Sequence, residues 1–304
     1  MTILTRRSFV AGAATVGLAQ PLLARQSRGE TIVNPLVRQR ADAQIALQAD
    51  GFYTFTASVP EYDRVILRRA KTIAGLATAP ETVLWHRPAS GKMAGHIWAP
   101  EIHQIDGRWY VYVAAGNGGD VFHIRTYVLQ CDGKDPVTGK WSVLGQLETP
   151  WDTFTLDSTT FVHRGTRYLC WAQQEPGIET NSNLYLAPLA TPTTLGAKPT
   201  RRYCLGMLTA RDDADLMDPA AWTKSPEPVF KTAPERRIYG PGHNSFTVDG
   251  RGRDVLVYHA RDYDKITGDP LYDPNRHTRV QGFRYRADGT PDFGMPAANG
   301  PLSI

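Results

Sequence analysis

Short runs of alternating aromatic and β-branched residues recur along the chain, and each follows a turn that carries glycine. The runs are Asp50-Gly51-Phe-Tyr-Thr-Phe-Thr-Ala, Asp106-Gly107-Arg-Trp-Tyr-Val-Tyr-Val-Ala, Arg164-Gly165-Thr-Arg-Tyr-Leu-Cys-Trp-Ala and Asp249-Gly250-Arg-Gly-Arg-Asp-Val-Leu-Val-Tyr-His-Ala. A period of two after a glycine turn predicts a hairpin that feeds a buried strand. The turn glycines 51, 107, 165 and 250 are 56, 58 and 85 residues apart. A second strand type begins near Val65, Ile124, Leu184, Cys204 and Val280, at steps of 59, 60, 20 and 76.

Four-stranded units repeating every ~55–60 residues predict an all-β fold, a β-propeller, because radial packing hides most sheet edges. Five outer strands predict five blades. The short outer step and the single long inner step together place a loss of roughly 30–40 residues between Leu195 and Arg201, against the usual repeat length. The expectation is a five-bladed propeller with a truncated fourth blade.

Composition narrows the class. The 304 residues are 41% hydrophobic and 21% charged, with 27 Gly, 22 Pro, 7 Trp and 13 Tyr. This excludes a disordered chain, a collagen and a coiled coil. The net charge of +4 resides in the first 28 residues, where Arg6, Arg7, Arg25 and Arg28 precede the first acidic residue, Glu30. The remainder is neutral, so the charge does not point to a nucleic-acid partner. No apolar run reaches the roughly 20 residues of a membrane span.

Residues 1–28 read as an export signal, leaving 29–304 as one propeller domain. Thr5-Arg6-Arg7-Ser8-Phe9-Val10 is followed by a short apolar stretch and by Pro21-Leu22-Leu23-Ala24. The paired Arg resembles a twin-arginine signal, which predicts a periplasmic or secreted protein. Cys131, Cys170 and Cys204 have no metal-ligand spacing and read as buried thiols, with one disulfide left open.

Propellers place their chemistry on the innermost strands. Asp42, Glu101 and Asp157 each lie shortly before a turn glycine, so the three carboxylates are expected to converge on one axis. The ordered set Arg40-Ala-Asp42, Ile97-Trp-Ala-Pro-Glu101, Leu156-Asp157, Asn181-Ser-Asn-Leu-Tyr185, Cys204-Leu-Gly-Met-Leu-Thr-Ala210, Gly242-His-Asn-Ser-Phe246 and Asn275-Arg-His-Thr-Arg-Val-Gln281 resembles glycoside hydrolase family 43, in its exo-acting α-L-arabinofuranosidase branch.

The resemblance implies hydrolysis of terminal α-L-arabinofuranosyl residues of arabinan or arabino-oligosaccharides with inversion. Inversion needs a base and an acid roughly 6.5–9.5 Å apart. By resemblance, Asp42 is the general base, although Ala43 stands where the family often has Pro. Asp157 is the carboxylate that raises the acid's pKa and orients the sugar. The general acid, a Glu on the fourth blade, has no counterpart. Glu175 and Glu179 fall too early, Glu235 falls too late, and Glu101 is the one acidic residue at a comparable inner position. Trp98, Glu101 and Arg279 are expected to line the sugar pocket. His243 is expected to sit beside an axial metal or water. No cofactor is required, and a structural calcium near the axis is the implied metal. A non-catalytic arabinose- or oligosaccharide-binding propeller is the rival reading, and an arabinofuranoside is not separated from a xyloside.

Overall fold

In the computed structural model, residues 29–178, 182–202 and 206–304 are described. The export-signal reading and Cys204 lie outside them. The architecture is an all-β propeller, but with four blades rather than five. The first blade comprises strands Ala41–Leu47, Tyr53–Ser58, Arg64–Ala70 and Thr82–His86. The second comprises Ile97–Ile105, Arg108–Ala115, Arg125–Cys131 and Trp141–Gln146. The third runs Thr155–His163, Thr166–Gln173 and Asn183–Thr191, whose outer edge is shared by Thr194–Leu195 and Thr200–Arg202. The last runs Tyr239–Val248, Asp254–Arg261 and His277–Gly282.

The predicted hairpin turns are present. Asp106-Gly107 and Arg164-Gly165 both hold positive φ at the two turn positions, which matches the twist of the flanking strands. In the last blade, Gly252 rather than Gly250 takes the left-handed conformation.

Residues 31–37 pack against the last blade and the strand Gly300–Ser303. The side-chain amide of Asn34 donates to the Val280 carbonyl at 2.8 Å and accepts from its N–H at 3.1 Å, as a neighbouring strand would. Leu36 and Val37 continue the pairing to Thr278, and Thr31–Asn34 pairs with Gly300–Ser303.

Three apolar clusters weld the four blades. Ile45, Phe55, Val255, Val257 and Val280 join the last blade to the first. Val65, Leu67, Ile102, Val111 and Trp109 join the first to the second. Tyr112, Val128, Leu169, Trp171 and Tyr185 join the second to the third. Each fully buried side chain of this size contributes about 1.5–3 kcal/mol. No equivalent cluster joins the third blade to the last among the described residues.

The place of the fourth blade holds a hairpin, Leu208–Ala210 paired with Trp222–Lys224. This hairpin is a two-stranded sheet of its own, and among the described residues no inner pair accompanies it, consistent with the spacing. The adjoining face of the last blade, Leu256, Tyr258 and Ala260, is covered instead by Phe230, Ala233, Ile238, Phe283 and Phe293. An irregular segment thus hides the face that a blade would otherwise bury.

Candidate active site

The four innermost strands share one local distortion. Their pairing slips between Ala41 and Gln44, Trp98 and Glu101, Leu156 and Thr159, and Gly242 and Ser245. Inside each slip one residue takes positive φ: Asp42 at 52°, Ala99 at 44°, Asp157 at 53° and His243 at 41°. A bulge bends its strand and re-aims one side chain, and left-handed backbone is uncommon outside glycine. The distortion therefore turns Asp42, Asp157 and His243 together at one end of the axis.

This corrects the expected equivalence. Ala99, not Glu101, is the second-blade counterpart of Asp42 and Asp157. Glu101 lies two residues further on, buried, with His103 Nε2 3.0 Å from its Oε2 and Gln44 Nε2 donating to it at 3.4 Å. Gln44 also accepts from the Ile102 N–H at 2.7 Å, so these contacts tie the first blade to the second.

Asp42 is the centre of the cluster. Ser58 Oγ donates to its Oδ2 at 2.8 Å and accepts from the Ala99 N–H at the same distance. Its Oδ1 is 3.1 Å from His259 Nδ1, 3.4 Å from Arg276 Nη1 and 3.7 Å from His243 Nδ1. Burial alone pushes its carboxyl up. The charges of His243, His259 and Arg276, with the His259 hydrogen bond, outweigh burial and hold it well below the ordinary carboxylate range. Asp42 is therefore an anion at every physiological pH.

Asp157 behaves in the opposite way. Its Oδ2 is 3.8 Å from His243 Nδ1, and its side chain is 40% exposed. Protein crowds it on the remaining sides. That desolvation, with the nearby charges of Asp42 and Glu101, raises its carboxyl above the usual value, although His243 opposes the rise. His243, lying between the two carboxylates, is lowered by burial but raised more by Asp157, Asp42 and Glu101, giving a net increase.

Arg276 and the aromatic wall complete the site. Arg276 Nη2 donates to the Tyr62 hydroxyl at 3.0 Å, and Tyr62 donates to the Leu271 carbonyl at 2.6 Å. Trp98 stacks on His96 with centroids 5.2 Å apart and meets the Tyr62 ring edge-on at 5.8 Å. Exposed Phe122 and Tyr272 extend this wall outward through His96.

Arg279 is not part of the site. It is fully buried in the last blade, paired with Asp262 and with Asn299 at 2.5 Å. Arg276, three residues earlier and just ahead of the strand, reaches Asp42 in its place. Both arginines lie in the segment that carried the family resemblance, and only the strand boundary separates their fates.

His243 Nδ1 faces the two carboxylates it pairs with, and no group of three or more His, Cys, Asp or Glu is placed to hold an ion directly among the described residues. Of the glutamates weighed as acid, Glu175 accepts from the Tyr185 hydroxyl at 2.6 Å in the third blade, and Glu235 is exposed on a helical turn before the last blade. Glu179 lies outside the described residues.

The model for glycosyl hydrolases family 43 matches in two segments, residues 32–202 and 196–291. The chain belongs to this family. Its two matched segments meet at 196–202, where the inner strands of the fourth blade are missing. The chain is 48% identical to an extracellular exo-α-(1→5)-L-arabinofuranosidase of Streptomyces avermitilis, an alignment covering 100% of this chain and 73% of that protein. It is 46% identical to a protein of the same name from Streptomyces chartreusis, over 88% of this chain and 94% of that one. The crystal structure of an α-L-arabinofuranosidase from Lactobacillus brevis superposes with a TM-score of 0.84 at 43% identity, covering 88% of this chain and 98% of that chain.

The first alignment runs over 349 positions although this chain has 304 residues, so at least 45 positions have no counterpart here. Among the described residues, no four-stranded sheet stands between the third blade and the last, the two that carry Asp157 and His243.

Proposed function

We propose that the protein is a glycosidase directed at terminal α-L-arabinofuranosyl residues, with its water-activating half intact and its proton-donating half missing. The observation that carries the reading is Asp42: a buried carboxylate, ionised by its neighbours and linked to Asp157 through His243, which lies within 4 Å of both. The relatives named as arabinofuranosidases supply the sugar. They favour an arabinofuranoside over a xyloside.

Asp42 is assigned as general base. It takes a proton from a water whose oxygen bonds to the anomeric carbon, while the bond to the leaving oxygen breaks on the opposite face. Asp157 is assigned to hold ring hydroxyls. Its raised pKa suits a carboxyl that shares protons with its surroundings rather than one locked in an ion pair. Trp98 and the wall beside it offer an apolar face for the sugar ring. Arg276 fixes the base through Oδ1 and is itself held by Tyr62.

Among the described residues no glutamate takes the fourth-blade place from which the family resemblance has the leaving oxygen protonated. A sugar alkoxide is a poor leaving group, whereas a nitrophenolate departs as a stable anion. The expected profile is weak but measurable hydrolysis of aryl α-L-arabinofuranosides and far weaker action on arabinan. Product analysis by proton NMR is expected to show the β-anomer first, the mark of inversion. Vigorous cleavage of arabinan with a bell-shaped pH profile would overturn the assignment, because another group would then be the acid.

The missing acid also favours a second reading, a binding protein that keeps the pocket without turnover. Calorimetric binding of arabinose or its oligomers, with no product from the aryl glycoside over days, selects it.

We also infer export. The relatives from both Streptomyces species are named extracellular, residues 1–28 carry the twin-arginine pattern, and no helix among the described residues is long and apolar enough to cross a membrane.

A further inference from the structure

The third innermost strand, which carries Asp157, is entered from residues 147–154, the link from the outermost strand of the second blade. Two buried side chains hold that link. Gln173 ends the neighbouring strand, stands opposite Thr155 in the pairing and is fully buried. Its Nε2 donates to the Trp151 carbonyl at 2.8 Å and lies 2.9 Å from Thr149 Oγ1 and 3.2 Å from Thr153 Oγ1. Both hydroxyls donate to carbonyls, of Trp151 and of Gln174, so each turns an accepting oxygen toward Gln173. Gln173 Oε1 accepts from Trp171 Nε1 at 3.0 Å. An indole N–H only donates, which fixes the amide with its NH2 toward the link. From the other side, Arg125 donates through Nε to Asp152 Oδ1 at 2.5 Å and through Nη2 to the Asp152 carbonyl at 2.8 Å.

The link matters to Asp157 because little else holds that residue. Asp42 is bracketed by side chains: Ser58, His259 and Arg276 all reach its carboxylate. Among the described residues, no hydroxyl or amide hydrogen-bonds the Asp157 carboxylate, and its ion-pair partner His243 stands 3.8 Å away. Its backbone also lies outside the register, since the pairing slips between Leu156 and Thr159. The ends of the slip therefore decide where Asp157 stands. The nearer end is Leu156, opposite Ala172, and the pair before it is Thr155 with Gln173. A buried amide with all its partners in place resists displacement, because each lost contact leaves a desolvated polar group.

We propose that Gln173 is a positioning residue for Asp157: it locks the entry to the third innermost strand and so fixes where that carboxylate meets the sugar. Gln173, fully buried, does not meet the sugar itself. This rests on the assignment of Asp157 to the ring hydroxyls.

The test is a double-mutant cycle on the full chain: Gln173→Met, Asp157→Asn and the pair, each titrated calorimetrically with arabinose. Methionine fills the space of glutamine without its polar contacts. Gln173→Met is expected to weaken arabinose binding about tenfold, the scale of one hydrogen bond. In the Asp157→Asn background the same change is expected to matter less than about twofold, because the carboxylate it places is gone. On an aryl arabinofuranoside, KM should rise by the same factor, while kcat and the acidic limb of the pH profile, both set by Asp42, stay in place. Thr153→Val guards against a folding failure: it removes one acceptor at a half-buried position and should weaken arabinose about threefold. Unchanged affinity in both Gln173→Met and Thr153→Val, or an equal loss with and without the Asp157 carboxylate, overturns the positioning role and leaves the axial reading standing. A parent chain that does not bind arabinose overturns the arabinofuranosyl reading and this proposal with it.

Discussion

Asp157 holds on the third innermost strand the place that Asp42 holds on the first: each sits in the slip of its strand pairing, with φ of 53° and 52°. His243 repeats the place on the last blade and lies within 4 Å of both carboxylates. One backbone device, used blade after blade, thus collects the charges. The missing blade removes one copy of the device and, with it, the position where the family resemblance puts the acid.

Asp42→Asn tests the base. The variant keeps the shape and the Ser58 contact but cannot take a proton from water. Turnover of an aryl arabinofuranoside should fall by about 100-fold or more, in the range found for general acid–base groups. An undiminished rate would make Asp42 a structural bulge residue.

Restoring the missing inner hairpin tests the truncation. An insertion of roughly 30–40 residues from a relative, placed between Leu195 and Arg201 and carrying its glutamate, should raise the Tm and increase arabinan hydrolysis by about 100-fold. The same insert with Gln for that Glu should raise the Tm alone. If no family-derived insert changes the Tm, the ring is not open in solution.

The charge cluster predicts a pH dependence of stability. His243 is raised in the fold, so its contribution is fully present below the unfolded value near 6.5 and is lost as pH rises through the folded value. Asp157 is also raised, so ionising it above about pH 4 favours the unfolded chain as well. Asp42 is lowered; its stabilisation is complete above about pH 4 and is lost only in strong acid. The His243 contribution to the Tm should therefore decline from pH 6 to pH 8, opposed below about pH 6.5 by His96 and His277, which burial lowers. His243→Gln should flatten that decline, and an unchanged slope in the variant would separate His243 from it.

Arg279→Met separates stability from binding. It removes the buried guanidinium from Asp262 and Asn299, which themselves reach the surface, so the loss is that of charge-assisted hydrogen bonds, about 1.5–3 kcal/mol. A large fall in Tm is expected, with arabinose affinity of the folded fraction unchanged. Weakened arabinose binding at an unchanged Tm would return Arg279 to the sugar site.

Ser58→Ala tests a positioning contact. The hydroxyl joins Asp42 to the Ala99 N–H, and its loss frees one carboxylate oxygen. The acidic limb of the pH–rate profile should move up and kcat should fall about tenfold, the loss of about one charge-assisted hydrogen bond, with KM little changed. A change confined to KM would assign Ser58 to the sugar instead.

Much of this was legible in the chain. Alternation after glycine turns identifies strands because a period of two is a local property, and the irregular repeat located the lost strands because sequence spacing measures them directly. Asp42 and Asp157 were found because each precedes its turn by a similar distance. Other features depended on tertiary structure. Ala99 rather than Glu101 is the second-blade equivalent because the bulge, not the count to the glycine, sets which side chain turns to the axis. Arg276 rather than Arg279 meets the base because the strand begins at His277, so Arg279 points into the last blade while Arg276 is still in the loop. His259 and Ser58 meet Asp42 across 217 and 16 residues of chain, and only the closing of strands around a common axis brings them there. The number of blades, too, was settled in space: outer strands alone form a hairpin, and a blade requires the inner pair that buries its two faces.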